Sequence, residues 1–337
     1  MARPLPSRCR WLCTGKRFPR TAKQLPMTRI LVTGSSGLIG RALVAALRGD
    51  GVDVVRYDLS AGQDICNPAQ MSQALAGCDG VIHLAAISRV AWGESDPDLC
   101  RHVNVTGTDV LLQAMLAQPR APWIVFASSR EVYGDPALLP VIETAPMQPV
   151  NHYGRSKAEG EQLVLAARGL GLRSAIVRLS SVYGTVHDHP DRAVPALLWR
   201  AMQGQDLRLS GIDAVFDFVH VDDTVRGLIL AARQLASGAG TVATVHLATG
   251  VATSLGALAR AVIETAGSDS VLTRLPARRF DVTGFCGDPA RAAAVLGWTA
   301  AIDLKTGLQD LHKAFRMRRS APDPVPLPRT ASMTRAA

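Results

Sequence analysis

Tyr153 and Lys157 stand four residues apart in a stretch of helical periodicity, so both side chains project from one helix face. An ammonium beside a phenol favours the phenolate and draws its pKa down from about 10 toward neutrality, as a tyrosine general base requires. Ser129 ends an apolar run that reads as a strand, where its hydroxyl can hydrogen-bond the same substrate oxygen. The bland alternative is an amphipathic surface helix with a snorkelling lysine, plus a serine in an ordinary strand-end turn.

A second constellation lies upstream. Thr33-Gly34-Ser35-Ser36-Gly37-Leu38-Ile39-Gly40 spaces three glycines by three residues at a strand-to-helix turn. Small residues there permit a tight turn, backbone approach to a pyrophosphate and close helix packing, while the helix N-terminus favours an anion. By itself such a turn could be a plain loop before a capped helix. Asp58 closes the next strand, placed to accept from the adenosine ribose hydroxyls and to repel a 2′-phosphate. The pair points to NAD rather than NADP.

The elements that must hold these residues alternate short apolar runs with amphipathic stretches, the pattern of repeated βα units and a doubly wound parallel sheet of Rossmann type. Strands are expected at Arg29–Thr33, Val52–Tyr57, Gly80–Leu84, Trp123–Ala127, Ser174–Arg178 and Val245–Ala248, with helices at Leu38–Arg48, Asp98–Ala117 and His152–Arg168. The strands are nearly continuous in Val, Ile and Leu, as befits burial on both faces. After about residue 184 the rhythm changes. Pro195–Gly204 and Asp288–Leu296 read as helices and Leu207–Ser210 and Asp217–Val221 as short strands. The organisation expected is a dinucleotide-binding domain over 27–184, completed by about 244–250, with a smaller interleaved substrate lobe over 185–312 and a disordered tail over 313–337.

The formal charge of +9 suggests nucleic acid until it is located. Residues 1–26 carry seven basic side chains and no acid, and 313–337 carry six basic side chains and one acid, which leaves −3 on 27–312. A mildly acidic body argues against a phosphate-backbone footprint. The basic first segment, followed by Met27, reads as a targeting peptide or, preferably, an upstream start. No segment is long and apolar enough to span a membrane, and six scattered cysteines without a CxxC pair suit reduced thiols in a cytoplasmic protein. His187-Asp188-His189 lacks a third ligand, so no metal is assigned.

Taken in order, these segments resemble the extended short-chain dehydrogenase/reductases, in the NAD-dependent epimerase/dehydratase branch similar to UDP-glucose 4-epimerase. The likeness runs over residues 29–312. It rests on Gly34-x-x-Gly37-x-x-Gly40, Asp64-Ile65, His83-Leu84-Ala85-Ala86, Asn104 in Val103-Asn104-Val105-Thr106-Gly107-Thr108, Ser128-Ser129-Arg130-Glu131-Val132-Tyr133-Gly134, Tyr153-Gly154-Arg155-Ser156-Lys157 and Arg178-Leu179-Ser180-Ser181-Val182-Tyr183-Gly184. Asp217-Phe218-Val219-His220-Val221-Asp222-Asp223 and Leu296-Gly297-Trp298 follow.

The resemblance implies an enzyme that takes NAD and a nucleotide-linked sugar. The cofactor would meet Gly34, Gly37, Leu38, Ile39, Gly40, Asp58, Asp64, Ile65, Leu84, Ala85, Ala86, Asn104, Tyr153, Lys157 and Ser180, with Lys157 on the nicotinamide ribose. Ser129, Tyr153 and Lys157 would oxidise a sugar carbon transiently, and an epimerase would then return the hydride on the other face. Ser129, Ser181, Arg208 and Arg278 would meet the substrate. Two departures stand out: Phe216 occupies the place of a customary arginine, and Ser181 that of a frequent asparagine. The family habit implies a homodimer built on the helices near 98–117 and 152–168. A 4-keto reductase or dehydratase is the enzymatic alternative, and a non-catalytic dinucleotide-binding sensor or scaffold is the alternative of another class.

Overall fold

A computed structural model describes residues 29–238, 240–275 and 283–318. The expectations for residues 1–26, for Arg278 and for the tail beyond 318 lie outside the described residues.

Six strands, β1 (Arg29–Thr33), β2 (Asp53–Tyr57), β3 (Gly80–His83), β4 (Trp123–Ser129), β5 (Ser174–Leu179) and β6 (Val245–Leu247), form one parallel sheet in the order β6-β5-β4-β3-β1-β2. Alternation within β1 shows why the runs are apolar throughout. Ile30 and Val32 pack with α1 (Leu38–Gly49) and its neighbours, while Leu31 points into the opposite layer with α2 (Pro68–Leu75) and α3 (Gly107–Leu116). Both faces of a parallel sheet are covered, so neither can be polar. α4 (His152–Gly169) lies in the second layer, and α5 (Val221–Ala236) lies in the first.

From β1 the chain turns one way to β2 and then crosses back to β3 on the other side of β1. Loops leaving the carboxyl ends of β1 and β3 therefore diverge, opening a crevice where ligands of such sheets bind.

A separate apolar cluster underlies the smaller lobe. Leu197 and Leu198 from the helix Ala193–Met202, Leu258 and Val262 from Leu255–Ala266, and Leu308, Leu311 and Phe315 from Leu304–Arg318 meet there.

Three expectations need correction. The helix expected over Asp98–Ala117 is broken into Pro97–Arg101, a π-helical turn over His102–Thr106, and α3. The extra residue in that turn lets Asn104 point inward. At its end Gly107 allows close approach to Ile65, whose Cγ2 would lie 2.7 Å from an added Cβ. Residues 313–318, assigned to the tail, complete the helix Leu304–Arg318, with Phe315 buried in the small lobe. Val221, expected to end a strand, begins α5, and this helix packs on the sheet although it lies within the span assigned to the substrate lobe.

Candidate active site

Gly34, at the end of β1, has φ +68°, and an added Cβ would lie 2.7 Å from the backbone nitrogen of Ala85. An added Cβ at Gly40 would lie 2.1 Å from the Gly34 carbonyl. These two glycines are required by the protein's own packing. Gly37 is different: a Cβ there would touch only the Gly34 oxygen, at 3.5 Å, so the space it keeps open belongs to the cleft. Gly37 also stands at the N-cap of α1 without a capping side chain, leaving the first-turn amides for an anionic ligand.

The loops are fixed from below. Thr33 Oγ1 is 2.7 Å from His83 Nδ1 and accepts from the amides of Leu84 and Ala85, while His83 Nε2 reaches Thr108. Burial pushes the His83 pKa down to about 3, so the ring is neutral and can bridge two hydroxyls. Asp58 Oδ2 accepts from the amide of Ser36 at 2.8 Å and its Oδ1 from Ser60, which sets the carboxylate beside the glycine loop.

A cleft of about 1330 Å³ runs along these loops. Gly34, Gly37, Leu38, Ile39, Gly40, Asp58, Asp64, Ile65, Leu84, Ala85, Ala86, Ser129, Tyr153, Lys157 and Ser180 all line it, so nearly the whole expected set converges. Asn104 does not. Its amide is spent behind the wall, accepting from Ile87 N at 2.8 Å and donating to Ile87 O and Ser156 Oγ. It shapes the Ala85–Ile87 segment instead of lining the cleft. A second cleft, about 1040 Å³, continues from the first and is lined by Ser181, Arg208 and Phe216.

Ser129 is the last residue of β4, two residues beyond the expected end of that strand; its hydroxyl accepts from the amide of Glu131 at 3.2 Å and lies near enough to Tyr153 to act on the phenol. Tyr153 sits in the first turn of α4, whose N-cap Asn151 accepts from Gly154 N at 2.7 Å. Lys157 Nζ, however, donates to the carbonyl of Ala127 at 2.8 Å and lies 5.0 Å from the centre of the Phe126 ring. The expected lowering of the phenol by this lysine is therefore not what the geometry gives. Burial pushes the Tyr153 pKa up to about 12, with the Glu131 charge adding to the rise and Ser129 and Arg192 opposing it. Burial likewise brings Lys157 down to about 8.

Several motif residues serve as buttresses. Asp217 is fully buried and accepts from Thr249 and Gly250, and Asp223 accepts from Ala301 and Ile302 while its carbonyl takes the indole N–H of Trp298. Ser180 Oγ donates to Asp217 O at 2.6 Å.

The clefts have further charged lining. Arg130, Glu131, Asp188 and Arg192 line both clefts. Arg130 pairs with Glu131 at 2.7 Å and lays its guanidinium over Phe216, 4.6 Å from the ring centre. Of these charged residues, Asp188 carries no sequence signal beyond its place between two histidines.

With this geometry in view, the comparison with known proteins is specific. The model of the NAD dependent epimerase/dehydratase family matches residues 30–245. The chain belongs to that family. It is 31% identical to a dTDP-glucose 4,6-dehydratase of Streptomyces griseus, over 88% of this chain and 97% of the relative. It is 30% identical to a UDP-glucose 4-epimerase of Mycolicibacterium smegmatis, over 86% of this chain and 98% of the relative. Among solved structures it is similar to the UDP-glucose 4-epimerase of Thermotoga maritima with UDP-glucose, with a TM-score of 0.81 and 28% identity over 87% of this chain and all of that one. The family is one of NAD-dependent enzymes, and the glycine loop with its open Gly37 fits such a dinucleotide. No described helix is long and apolar enough to cross a membrane.

Proposed function

We propose that the chain is a nucleotide-sugar epimerase, 4-epimerase-like, that interconverts a ring carbon through a transient keto-sugar. The observation that carries this reading is the pair that follows Ser129. Loss of water from a sugar needs an acid to protonate the departing hydroxyl and a base for the neighbouring proton. A guanidinium does not give up its proton under ordinary conditions, so Arg130 cannot be that acid. Glu131 is buried, with one oxygen on Arg130 and the other accepting from Asn151 at 2.7 Å. The base of an elimination would thus be tied down without its partner.

What remains free suits reversible oxidation. Tyr153, with Ser129 beside it, takes the proton from a sugar hydroxyl and later returns it to the same oxygen. NAD, when bound, supplies the hydride acceptance and return that accompany this. The glycine loop would hold the diphosphate of NAD, Asp58 its adenosine ribose and Lys157 its nicotinamide ribose. Ser181 and Arg208, with Arg278, receive the nucleotide sugar.

The test is incubation of the NAD-loaded protein with UDP-, dTDP- and GDP-hexoses, followed by chromatography and mass spectrometry. An inverted product of unchanged mass, with no net NADH absorbance, supports the epimerase. A product lighter by one water overturns it in favour of the dehydratase reading, which the 31% identical relative keeps in view. Net cofactor consumption marks a 4-keto reductase, and NAD binding without any turnover marks a sensor or scaffold.

A further inference from the structure

Two polar atoms beside the reacting trio are buried and lack a hydrogen-bond partner among the described residues: Nη1 of Arg130 and Oδ2 of Asp188. Both residues line the dinucleotide cleft and the second cleft, which places them where the two join. One is a donor and the other an acceptor.

Each is held rigidly by its other contacts. Arg130 spends Nη2 on Glu131, rests its face on Phe216 and keeps 15% of its side chain exposed. Glu131 in turn is fixed by Asn151, the cap of the helix that carries Tyr153, so the guanidinium is registered to the reacting hydroxyl. Asp188 Oδ1 accepts from the amide of His189 at 2.8 Å and pairs with Arg192 at 3.4 Å. Arg192 is near enough to Tyr153 for its charge to act on the phenol.

Charge around the junction is already matched: Arg130 with Glu131, Arg192 with Asp188, and Arg89 with Asp191 at 2.5 Å. Leaving one N–H of Arg130 and one oxygen of Asp188 buried without a partner is costly, and a hydroxyl that accepts from the first and a hydroxyl that donates to the second would relieve both. A carboxylate on the sugar would satisfy Arg130 but face Asp188.

We infer that Arg130 and Asp188 read the sugar of the substrate, each through a ring hydroxyl, and that together they select an uncharged hexose over a uronic acid. This rests on the reading of the cleft as a nucleotide-sugar site, and it concerns specificity, which that reading leaves open.

The experiment is isothermal titration of the NAD-loaded protein with UDP, UDP-glucose and UDP-glucuronic acid, and in parallel with dTDP and dTDP-glucose. The measured quantity is the gain in affinity that the sugar adds to the nucleotide. The wild type is expected to bind UDP-glucose about tenfold or more tightly than UDP-glucuronic acid. Arg130→Lys keeps the pairing with Glu131 and loses the free N–H, so it should bind UDP normally while the gain from glucose falls roughly tenfold. Asp188→Asn should narrow the discrimination against UDP-glucuronic acid. Unchanged sugar gains in both variants, or a wild type that prefers the uronic acid, overturn the inference. Intact gains with no turnover would sink the epimerase reading and leave this one standing. Failure of every nucleotide and nucleotide sugar to bind would sink both.

Discussion

Lys157 donates its ammonium to the carbonyl of Ala127, 2.8 Å away at the end of β4, so the lysine four residues beyond Tyr153 is anchored to the sheet. Its charge is directed at the floor of the cleft. The phenol of Tyr153 is left to burial and to Glu131, both of which raise its pKa.

A pH profile follows from that arrangement. A base must be deprotonated to work, and a phenol raised to about 12 gains its active form only as pH rises. The kcat/KM of the NAD-loaded protein should therefore climb by about tenfold per pH unit from neutrality past pH 9. A plateau already reached at pH 7 would mean that Lys157 lowers the phenol after all. Tyr153→Phe should abolish the climb and cost about a hundredfold or more in rate while NAD binding persists. Near-normal activity would remove Tyr153 from the chemistry.

Cofactor preference should reside in Asp58. Its carboxylate sits against the Ser36 amide, where a 2′-phosphate would meet like charge. Arg41 and Arg56 reach Ser36 as well, through its carbonyl and its hydroxyl. The protein should bind NAD at least about tenfold more tightly than NADP. Asp58→Ser should shrink or reverse that ratio, because both arginines remain. Equal affinities in the wild type, measured by fluorescence titration, would refute the assignment.

Acid should destabilise the fold before the carboxylates titrate. His83 and His246 are buried neutral, with pKa values pushed down to about 3 and about 4 by burial. The unfolded chain protonates both near pH 6.5, whereas the folded chain does so only far lower. Stability is thus held above about pH 6.5 and lost as pH falls, at roughly 2 kcal/mol per pH unit below pH 6. Urea melts at pH 7, 6 and 5 read this directly. A midpoint independent of pH across that range would contradict it.

Two copies should associate through α4 and α3 with its preceding turns. Leu165 on α4 and Leu170 just beyond it are apolar and exposed in one chain. Light scattering at micromolar concentration should give twice the chain mass, and a monomer would refute the expectation.

The sequence alone determined the strands of the sheet, the glycine loop and the shared helix face of Tyr153 and Lys157, because each depends on short-range spacing. Alternation and apolar runs report burial on one or both strand faces, and a three-residue glycine repeat reports a turn too tight for side chains. Tyr153 and Lys157 share a face simply because a helix repeats every 3.6 residues. Which atoms those side chains then meet was decided by tertiary structure. Lys157 turns to Ala127 because β4 passes beneath α4, and Asn104 faces away from the cleft because the π-helical turn aims it at Ile87. Arg130 lies on Phe216 because the loops after β4 and before α5 close on the same cleft, a meeting between distant parts of the chain that local periodicity does not encode. Hydrogen bonds and pKa values follow from those long-range contacts, so the way these residues share charge and protons could not be read from local spacing.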